Sequence, residues 1–335
     1  MTGETRVAVI GAGSWGTTVA AIAARNAPTT LWARRPELAE QIALEHVNGD
    51  YLDGEELPRA LRATADLEEA VAEADVLVMA VPSHGFRAIF ERMAPCLRPW
   101  IPIVSLTKGL EPVTHRRMTE VVDEMAPGHP AGVLTGPNIA VEVLRGYAAA
   151  AVIAMPDEHV SAALADLFRT RVFRVYTSTD VAGAELAGAL KNVFAIAAGM
   201  AQGLGAGDNT RAAVISRSLR ELTRLGVARG GREDTFAGLA GLGDLLATCI
   251  SPRSRNRTVG EQLALGRTLD EIRSEMRMVA EGVKTCDAVV DLADAHSVEM
   301  PIAQHVHAVV HGDETPEEAF DGLLRTTPTT ELAPG

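Results

Sequence analysis

The sequence predicts an α/β chain in which an N-terminal doubly wound parallel sheet is followed by an all-helical C-terminal domain. Its 335 residues exceed what one hydrophobic core usually serves, so we expect two domains. In the first half, short β-branched runs alternate with amphipathic helical patterns, which is typical of a parallel sheet covered by helices. Beyond Asp180 the strand signals stop, and Ala-, Leu- and Met-rich helical patterns continue to about Arg325.

The predicted elements follow one another in a regular order. The predicted strands are bounded by Gly, Pro or Ser and cover residues 6–10, 30–33, 76–81, 101–106, 132–134, 149–155 and 171–177. Helical patterns between them cover residues 36–46, 66–74 and 157–168. We therefore predict a sheet domain over residues 1–180, a helical domain over residues 181–325 and a flexible tail over residues 326–335.

Composition and charge exclude several classes of protein. The hydrophobic fraction of 47% is ordinary for a globular chain, and no run approaches the roughly 20 apolar residues of a transmembrane helix. The polar start leads directly into a strand, so we expect no signal peptide and a cytoplasmic location. The net charge of -13 argues against nucleic acid as a partner. A phosphorylated small molecule would therefore need a local cluster of basic side chains.

Histidines close to the C-terminus are the nearest approach to a metal-ligand cluster. Of His305, His307 and His311, only the last two share a helical face. No carboxylate in the sequence completes a known ligand spacing with them. The sequence alone therefore favours a polar helix face and predicts no metal site.

A glycine fingerprint lies at the start of the chain. Gly11, Gly13 and Gly16 form G-x-G-x-x-G directly after the first predicted strand and directly before a small-residue helix. In this context the glycines allow a tight turn, close approach of a pyrophosphate to the backbone and close packing of the helix on the strand. The fingerprint predicts that the sheet domain is of the Rossmann type and binds a dinucleotide.

The end of the second predicted strand bears on the choice between NAD and NADP. A carboxylate at this place would bind the ribose 2′-hydroxyl of NAD, but the chain has Arg34 and Arg35 there. Two guanidinium groups suit a 2′-phosphate, so we expect NAD or NADP as the cofactor, with NADPH accepted through these arginines. The alternative is that both arginines are simply solvated loop residues.

Two lysines are candidates for acid–base chemistry. Lys108 follows a predicted strand at the sheet edge where ligands gather in α/β folds. Within residues 181–201 the only ionisable residues are Glu185 and Lys191, which do not share a helical face. A partly desolvated Lys191 would have a lowered pKa and could exchange a proton near neutral pH. The alternative is a lysine that extends from the edge of a core helix into solvent.

The expected basic cluster follows later in the chain. Arg253, Ser254, Arg255, Asn256 and Arg257 come just before a helical pattern that begins near Thr258. Guanidinium groups together with the free N–H groups of a helix start can converge on one phosphate. The alternative is an ordinary polar loop.

Seven motifs in this order resemble those of the bacterial type of NAD(P)-dependent glycerol-3-phosphate dehydrogenases, over nearly the full length. The matching stretches are VIGAGSWGT (9–17), SLTKGLE (105–111), GPNIA (136–140), LKNV (190–193), GLGDL (241–245), SRNR (254–257) and EGV (281–283). The resemblance implies reversible reduction of dihydroxyacetone phosphate to sn-glycerol 3-phosphate, which supplies glycerophospholipid synthesis. It also leads us to expect a homodimer.

The resemblance further implies roles for individual residues. Lys191 would be the proton donor and acceptor at the C2 oxygen, with Lys108 beside it in contact with both cofactor and substrate. The substrate-binding residues implied are Lys108, Gly136, Asn138, Lys191, Asp244, Ser254, Arg255 and Asn256. The cofactor-binding residues are Gly11, Gly13, Ser14, Trp15, Gly16, Arg34, Arg35, Lys108, Ala140, Arg255, Val279 and Glu281.

Several points depart from this pattern or stay open. Many members carry Ser or Thr in place of Asn138 and a basic residue in place of Val141, and the segment 215–219 also differs. Two other interpretations share the fingerprint. One is a related reductase of a small keto acid, such as a ketopantoate reductase. The other is a regulatory protein that binds NAD(P)H without turnover.

Overall fold

The computed structural model describes residues 4–52, 54–276 and 280–325, which form two compact units. The first unit comprises Met1–Thr107 and Arg116–Val181, and the second comprises Lys108–His115 and Ala182–Gly335. The predicted tail over residues 326–335 and the predicted cofactor residue Val279 lie outside the described residues.

The first unit is built on a single eight-stranded sheet. Its strands are β1 (Val7–Ile10), β2 (Thr29–Trp32), β3 (Leu61–Thr64), β4 (Val76–Met79), β5 (Ile103–Ser105), β6 (Ala131–Thr135), β7 (Ala149–Ala154) and β8 (Phe173–Ser178). Their order across the sheet is β3-β2-β1-β4-β5-β6-β7-β8. All neighbouring strands are parallel except β6 and β7, which pair antiparallel with Val133 opposite Ala154. The predicted fold class is confirmed.

Helices cover both faces of this sheet. They are α1 (Ser14–Ala23), α2 (Pro36–Glu45), α3 (Leu67–Val71), α4 (Ser83–Met93), α5 (Met118–Met125), α6 (Ala140–Leu144) and α7 (Glu158–Phe168), with a short 3₁₀ turn at Ala94–Cys96. Alternate residues of β1 belong to opposite cores, with Val7 and Val9 in one and Ala8 and Ile10 in the other. This burial on both faces explains why the strand reads as a continuous apolar run.

Strand β3 was not predicted from the sequence. Strand β3 has the sequence LRAT and lies at the edge of the sheet, where it pairs only with β2. Only Thr64 in it is β-branched, and only Leu61 is fully buried, so neither composition nor a run of apolar residues marks it as a strand. The antiparallel orientation of β7 relative to β6 was also not predicted.

Helices form all the regular structure described in the second unit. They are α8 (Val181–Gly203), α9 (Asp208–Ala228), α10 (Glu233–Ala237), α11 (Asp244–Ile250), α12 (Arg255–Ala264), α13 (Leu269–Glu275), α14 (Glu281–Ala295), α15 (Pro301–His311) and α16 (Pro316–Arg325), with a π-helical turn at Leu239–Gly243. Helix α8 is the only described helix long and apolar enough to cross a membrane, and 89% of its most apolar window is buried inside the protein. It is the central helix of this core.

Two glycines allow neighbouring helices to approach α8 closely. A Cβ atom at Gly260 of α12 would lie 2.0 Å from the carbonyl oxygen of Ile196 on α8. A Cβ atom at Gly282 of α14 would lie 2.5 Å from the carbonyl oxygen of Asn192. Because no side chain fits at either position, both helices lie backbone to backbone with α8 near Lys191. The packing thus fixes the starts of α12 and α14 beside the buried lysine.

Candidate active site

The centre of the second unit holds two lysines around one carboxylate. Asp244, the first residue of α11, places its Oδ1 atom 3.0 Å from Lys191 Nζ and its Oδ2 atom 2.7 Å from Lys108 Nζ. The side chains of Lys191 and Asp244 are 4% and 3% exposed, whereas that of Lys108 is 21% exposed. Lys108 is therefore the most exposed of the three side chains.

Burial changes the acid–base character of Lys191. Removal from water lowers the pKa of its ammonium group from 10.5 to about 8, attraction to Asp244 opposes this shift, and repulsion from Lys108 adds to it. A group with this pKa exists in both protonation states near neutral pH, as a catalytic acid and base requires. By contrast, burial raises the pKa of the neighbouring Cys249 thiol to about 12, so this cysteine stays protonated.

Thr248 is a contact of Lys191 that the sequence analysis missed. Lys191 Nζ donates a hydrogen bond to Thr248 Oγ1, which itself donates to the carbonyl oxygen of Asp244 at 2.7 Å. Thr248 stands four residues after Asp244 on α11, so the two side chains share a helical face. The four-residue spacing from Asp244 is the sequence feature that could have identified Thr248. It is informative only when Asp244 is already assigned to the site.

An amide chain connects the lysine cluster to the starts of α12 and α14. Asn192 Nδ2 donates to the carbonyl oxygen of Lys108 at 3.0 Å, and Asn256 Nδ2 donates to Asn192 Oδ1 at 3.0 Å. Asn256 Oδ1 in turn accepts from the backbone N–H of Gly282 at 3.0 Å. The backbone of Lys108 is thereby held in place by two asparagines.

The predicted arginine cluster is divided by the fold. Ser254 caps α12, its Oγ accepting from the N–H of Arg257 at 3.3 Å. Arg257 is buried and donates to the carbonyl of Ser251 at 2.9 Å and to Gln202 Oε1 at 2.6 Å. The expectation that Arg257 belongs to a phosphate cradle is therefore wrong, because its guanidinium group joins the loop to α8.

Arg255 has a different environment from Arg257. Its side chain is exposed, but the surrounding protein atoms lower the pKa of the guanidinium group. Attraction to Glu281 opposes this shift only in part, so the pKa stays below its usual value. Glu281, the first residue of α14, thus lies in the electrostatic field of Arg255. A guanidinium group that is reachable at the first turn of α12 suits an anionic ligand.

The backbone of the glycine fingerprint in the first unit has the shape that a dinucleotide requires. Gly11 has φ +119°, and a Cβ atom there would lie 2.6 Å from the carbonyl oxygen of Ala80. A Cβ atom at Gly16 would lie 2.1 Å from the carbonyl oxygen of Gly11, whereas a Cβ atom at Gly13 would project into open space. The loop is therefore tight on the protein side and open at Gly13. Helix α1 begins at Ser14 without a side-chain cap, so its first N–H groups suit a pyrophosphate.

Arg34 and Arg35 follow β2 and are both exposed. Arg35 precedes α2 and forms an ion pair with Asp50, whose hydrogen bond raises the pKa of the guanidinium group. The sequence analysis did not identify Asp50, which lies 15 residues further along the chain. Asp50 competes with any 2′-phosphate for Arg35, because one guanidinium group must serve both anions.

Four predicted residues lie near the end of β6 or at the start of α1. The Nδ2 and Oδ1 atoms of the half-buried Asn138 are themselves buried and have no hydrogen-bond partner among the described residues, and the same holds for Nε1 of Trp15. Such orphaned buried groups are rare and suit a site that binds a polar ligand. Gly136 has φ +139°, and the carbonyl oxygen of Ala140 accepts from Thr18 Oγ1 at 3.3 Å. Val141, one of the departures, is a core residue.

Comparisons with known proteins agree with these features. The pattern of the NAD-dependent glycerol-3-phosphate dehydrogenase N-terminus matches residues 6–161, and that of the C-terminus matches residues 180–321. A glycerol-3-phosphate dehydrogenase [NAD(P)+] of Sphingopyxis alaskensis is 56% identical over 98% of this chain and 99% of its own length. One from Mycobacterium avium is 57% identical over 98% and 97%.

The solved structures agree as well. The crystal structure of glycerol-3-phosphate dehydrogenase from Coxiella burnetii has a TM-score of 0.92 and 36% identity, over 96% of this chain and 99% of that one. The resemblance drawn from the motifs is therefore confirmed, and the chain belongs to the NAD-dependent glycerol-3-phosphate dehydrogenase family.

Proposed function

We propose that this chain catalyses the reversible, NAD(P)-dependent reduction of dihydroxyacetone phosphate to sn-glycerol 3-phosphate. The observation that carries the proposal is the buried Lys191, held by Asp244 beside the more accessible Lys108. In this arrangement Lys191 can donate a proton to a carbonyl oxygen, and the second ammonium group can stabilise negative charge on that oxygen. The family relationship supplies the identity of the substrate.

The proposed roles divide between the units. The first unit would bind the dinucleotide through Gly11, Gly13, Ser14, Trp15, Gly16, Arg34, Arg35 and Ala140. The second unit would supply both lysines, Asp244 and the residues proposed for the substrate phosphate. The nicotinamide, when bound, supplies the hydride that C2 of dihydroxyacetone phosphate gains, and it takes the hydride back in the reverse direction.

Lys191 would then complete the reduction. As C2 gains the hydride, the electron pair of the carbonyl moves to the oxygen, and the Lys191 ammonium group donates a proton to it. The lysine is left neutral and ready to accept a proton from glycerol 3-phosphate in the reverse reaction. Asp244 would hold the substrate hydroxyl groups and set the position of both lysines. Lys108 would steady the developing negative charge and contact the cofactor.

The substrate phosphate would bind at the start of α12. Ser254, Arg255 and Asn256 are the residues proposed for this role, with Gly136 and Asn138 as further substrate contacts. The orphaned amide of Asn138 supports its part in the proposal. Arg255 and Glu281 would also contact the dinucleotide. The electrostatic interaction between these two side chains would hold them in position for that contact.

A spectroscopic assay tests the proposed function. The purified chain is mixed with dihydroxyacetone phosphate and either NADH or NADPH, and absorbance of the reduced nicotinamide is followed. We expect the absorbance to fall with the phosphorylated substrate and to change far more slowly with dihydroxyacetone, which lacks the phosphate. No consumption of either cofactor would refute the proposed activity.

Arg255 gives a sharper test of substrate recognition. Arg255→Ala should raise the Michaelis constant for dihydroxyacetone phosphate about ten- to a hundredfold, because a charge-assisted contact to the phosphate is lost. Turnover should fall as well, since phosphate binding helps to align the carbonyl. Added phosphite should raise the activity of the parent chain on dihydroxyacetone, because phosphite can take the place of the missing phosphate group.

The matched control for this change is Arg253→Ala, which removes an exposed guanidinium group from the same loop. It should leave the Michaelis constant for dihydroxyacetone phosphate nearly unchanged. An equal effect of Arg255→Ala on phosphorylated and unphosphorylated substrates would show that Arg255 does not bind the phosphate.

Cofactor choice is tested by removing the two arginines that follow β2 and, separately, by removing the carboxylate that pairs with Arg35. Replacing Arg34 and Arg35 together by alanine should raise the Michaelis constant for NADPH about tenfold or more and affect NADH much less. Asp50→Asn should act in the opposite direction and lower the constant for NADPH, because Arg35 loses its competing carboxylate. Arg25→Ala, at an exposed position elsewhere in the first unit, is the control. Equal effects on both cofactors would contradict this assignment.

We further propose that the chain works in the cytoplasm as a homodimer and supplies glycerol phosphate for phospholipid synthesis. The support for these points is the family relationship together with the acidic, globular composition. Light scattering on the purified chain should give about twice the mass of 35.4 kDa if the dimer forms.

A further inference from the structure

The last two turns of α15 carry a pair of histidines that face a carboxylate from another helix. Asp287 on α14 places its Oδ1 atom 2.6 Å from His311 Nε2 and 3.2 Å from His307 Nε2. The two imidazole rings are stacked obliquely, with centroids 4.4 Å apart. The sequence alone offered no carboxylate for this histidine pair, but the packing of α14 against α15 supplies one.

Both imidazole nitrogens face the same carboxylate oxygen, Asp287 Oδ1. Zn²⁺ binds imidazole nitrogen and carboxylate oxygen at about 2.0 to 2.2 Å, which separates neighbouring ligand atoms in a tetrahedral site by about 3.3 Å. The separations of 2.6 and 3.2 Å between Asp287 Oδ1 and the two Nε2 atoms are close to this value. The side chains of His307, His311 and Asp287 are 33%, 45% and 55% exposed, which leaves them open to ions from solvent.

Neighbouring groups define the limits of the cluster. His305 does not belong to it, because its Nδ1 atom faces Glu314 at 2.7 Å instead. The ligand atoms of Cys286, Asp287 and His311 do lie within 4.8 Å of one another. The Cys286 thiol, however, is buried and donates to the carbonyl of Val283 at 3.0 Å, so the ligand set needs only the two histidines and the aspartate.

We propose that His307, His311 and Asp287 bind a divalent transition-metal ion of the Zn²⁺ class, with water in the remaining positions. Imidazole nitrogens separated by one helical turn and one carboxylate oxygen form a ligand set that such ions prefer over Mg²⁺ or Ca²⁺. The ion would link α14 to α15. It would thereby stabilise α14, whose Gly282 N–H holds Asn256 in the amide chain of the proposed active site.

Calorimetry on the 335-residue chain tests this proposal without reference to its activity. The protein is treated with a chelator, exchanged into metal-free buffer and titrated with ZnCl₂. We expect one ion per chain, and a rise in Tm on Zn²⁺ addition, because an ion that binds only the folded state stabilises it. Addition of MgCl₂ in place of ZnCl₂ should give neither effect.

Variants locate the site. His311→Ala and Asp287→Asn should each weaken Zn²⁺ binding at least tenfold, as removal of one of three ligands should, whereas the matched control His305→Ala should bind as the parent does. The altered side chains are partly exposed, so folding should persist, and circular dichroism of the metal-free proteins checks this. Zn²⁺ binding that is absent in the parent, or that keeps its affinity when His307, His311 and Asp287 are all replaced, would overturn the proposal.

Discussion

Replacing Lys191 by alanine is expected to lower turnover by about a hundred- to ten-thousandfold, the range that general acid–base groups contribute. The Michaelis constants for NADH and NADPH should change little, because Lys191 belongs to the second unit and the fingerprint to the first. Asp244 keeps its contact with Lys108 in this variant, so no buried carboxylate is left without a partner. Steady-state kinetics with each cofactor provides the measurement.

Lys284→Ala is the matched control, because it removes an exposed lysine from α14 in the same unit. Its turnover should equal that of the parent chain. Lys191→Met adds a side chain of similar length without a charge and should be as inactive as the alanine variant. Turnover within tenfold of the parent in a folded Lys191→Ala protein would rule out the lysine as the acid–base group.

The second large effect is expected from Asp244→Asn. This change removes the attraction that keeps the pKa of Lys191 up at about 8, whereas burial and the nearby Lys108 continue to lower it. More of the lysine is then neutral at pH 7, so reduction of dihydroxyacetone phosphate should slow. The loss of a buried ionic partner should also reduce the free energy of unfolding by about 3 to 5 kcal/mol.

Kinetics and denaturant unfolding together measure both consequences. Asp208→Asn is the control, since Asp208 forms an exposed ion pair with Arg211 and should matter little to either quantity. Parent-like turnover and stability in Asp244→Asn would show that the carboxylate neither positions nor balances the two lysines.

The site could be predicted from sequence wherever one segment carried the whole signal. Lys191 was recognisable because it is a single cation in a long apolar helical run, and the fingerprint because its glycines follow a strand directly. Asp244 and Glu281 were named only through the family resemblance. A carboxylate after a glycine-rich turn, or at a helix start, is common and has no distinctive pattern of its own.

Contacts between distant segments were beyond sequence reasoning. Asp50 meets Arg35 from a turn beyond α2, and Asp287 meets His311 through the packing of α14 on α15. No local periodicity encodes either contact. Arg257 shows the opposite error, because its sequence neighbours suggested a shared phosphate site but its side chain turns toward Gln202. Among the strands, the edge strand β3 was missed for want of β-branched residues.

The pH dependence of kcat/KM in both directions tests the central claim, that a buried Lys191 exchanges the proton at C2. Reduction of dihydroxyacetone phosphate needs the protonated lysine, so its kcat/KM should fall as pH rises through about 8. Oxidation of glycerol 3-phosphate needs the neutral lysine, so its kcat/KM should rise through the same pH. Opposite limbs that share a pKa near 8 are the predicted result. Profiles that are flat between pH 7 and 9, or limbs that persist in the residual activity of Lys191→Ala, would contradict it.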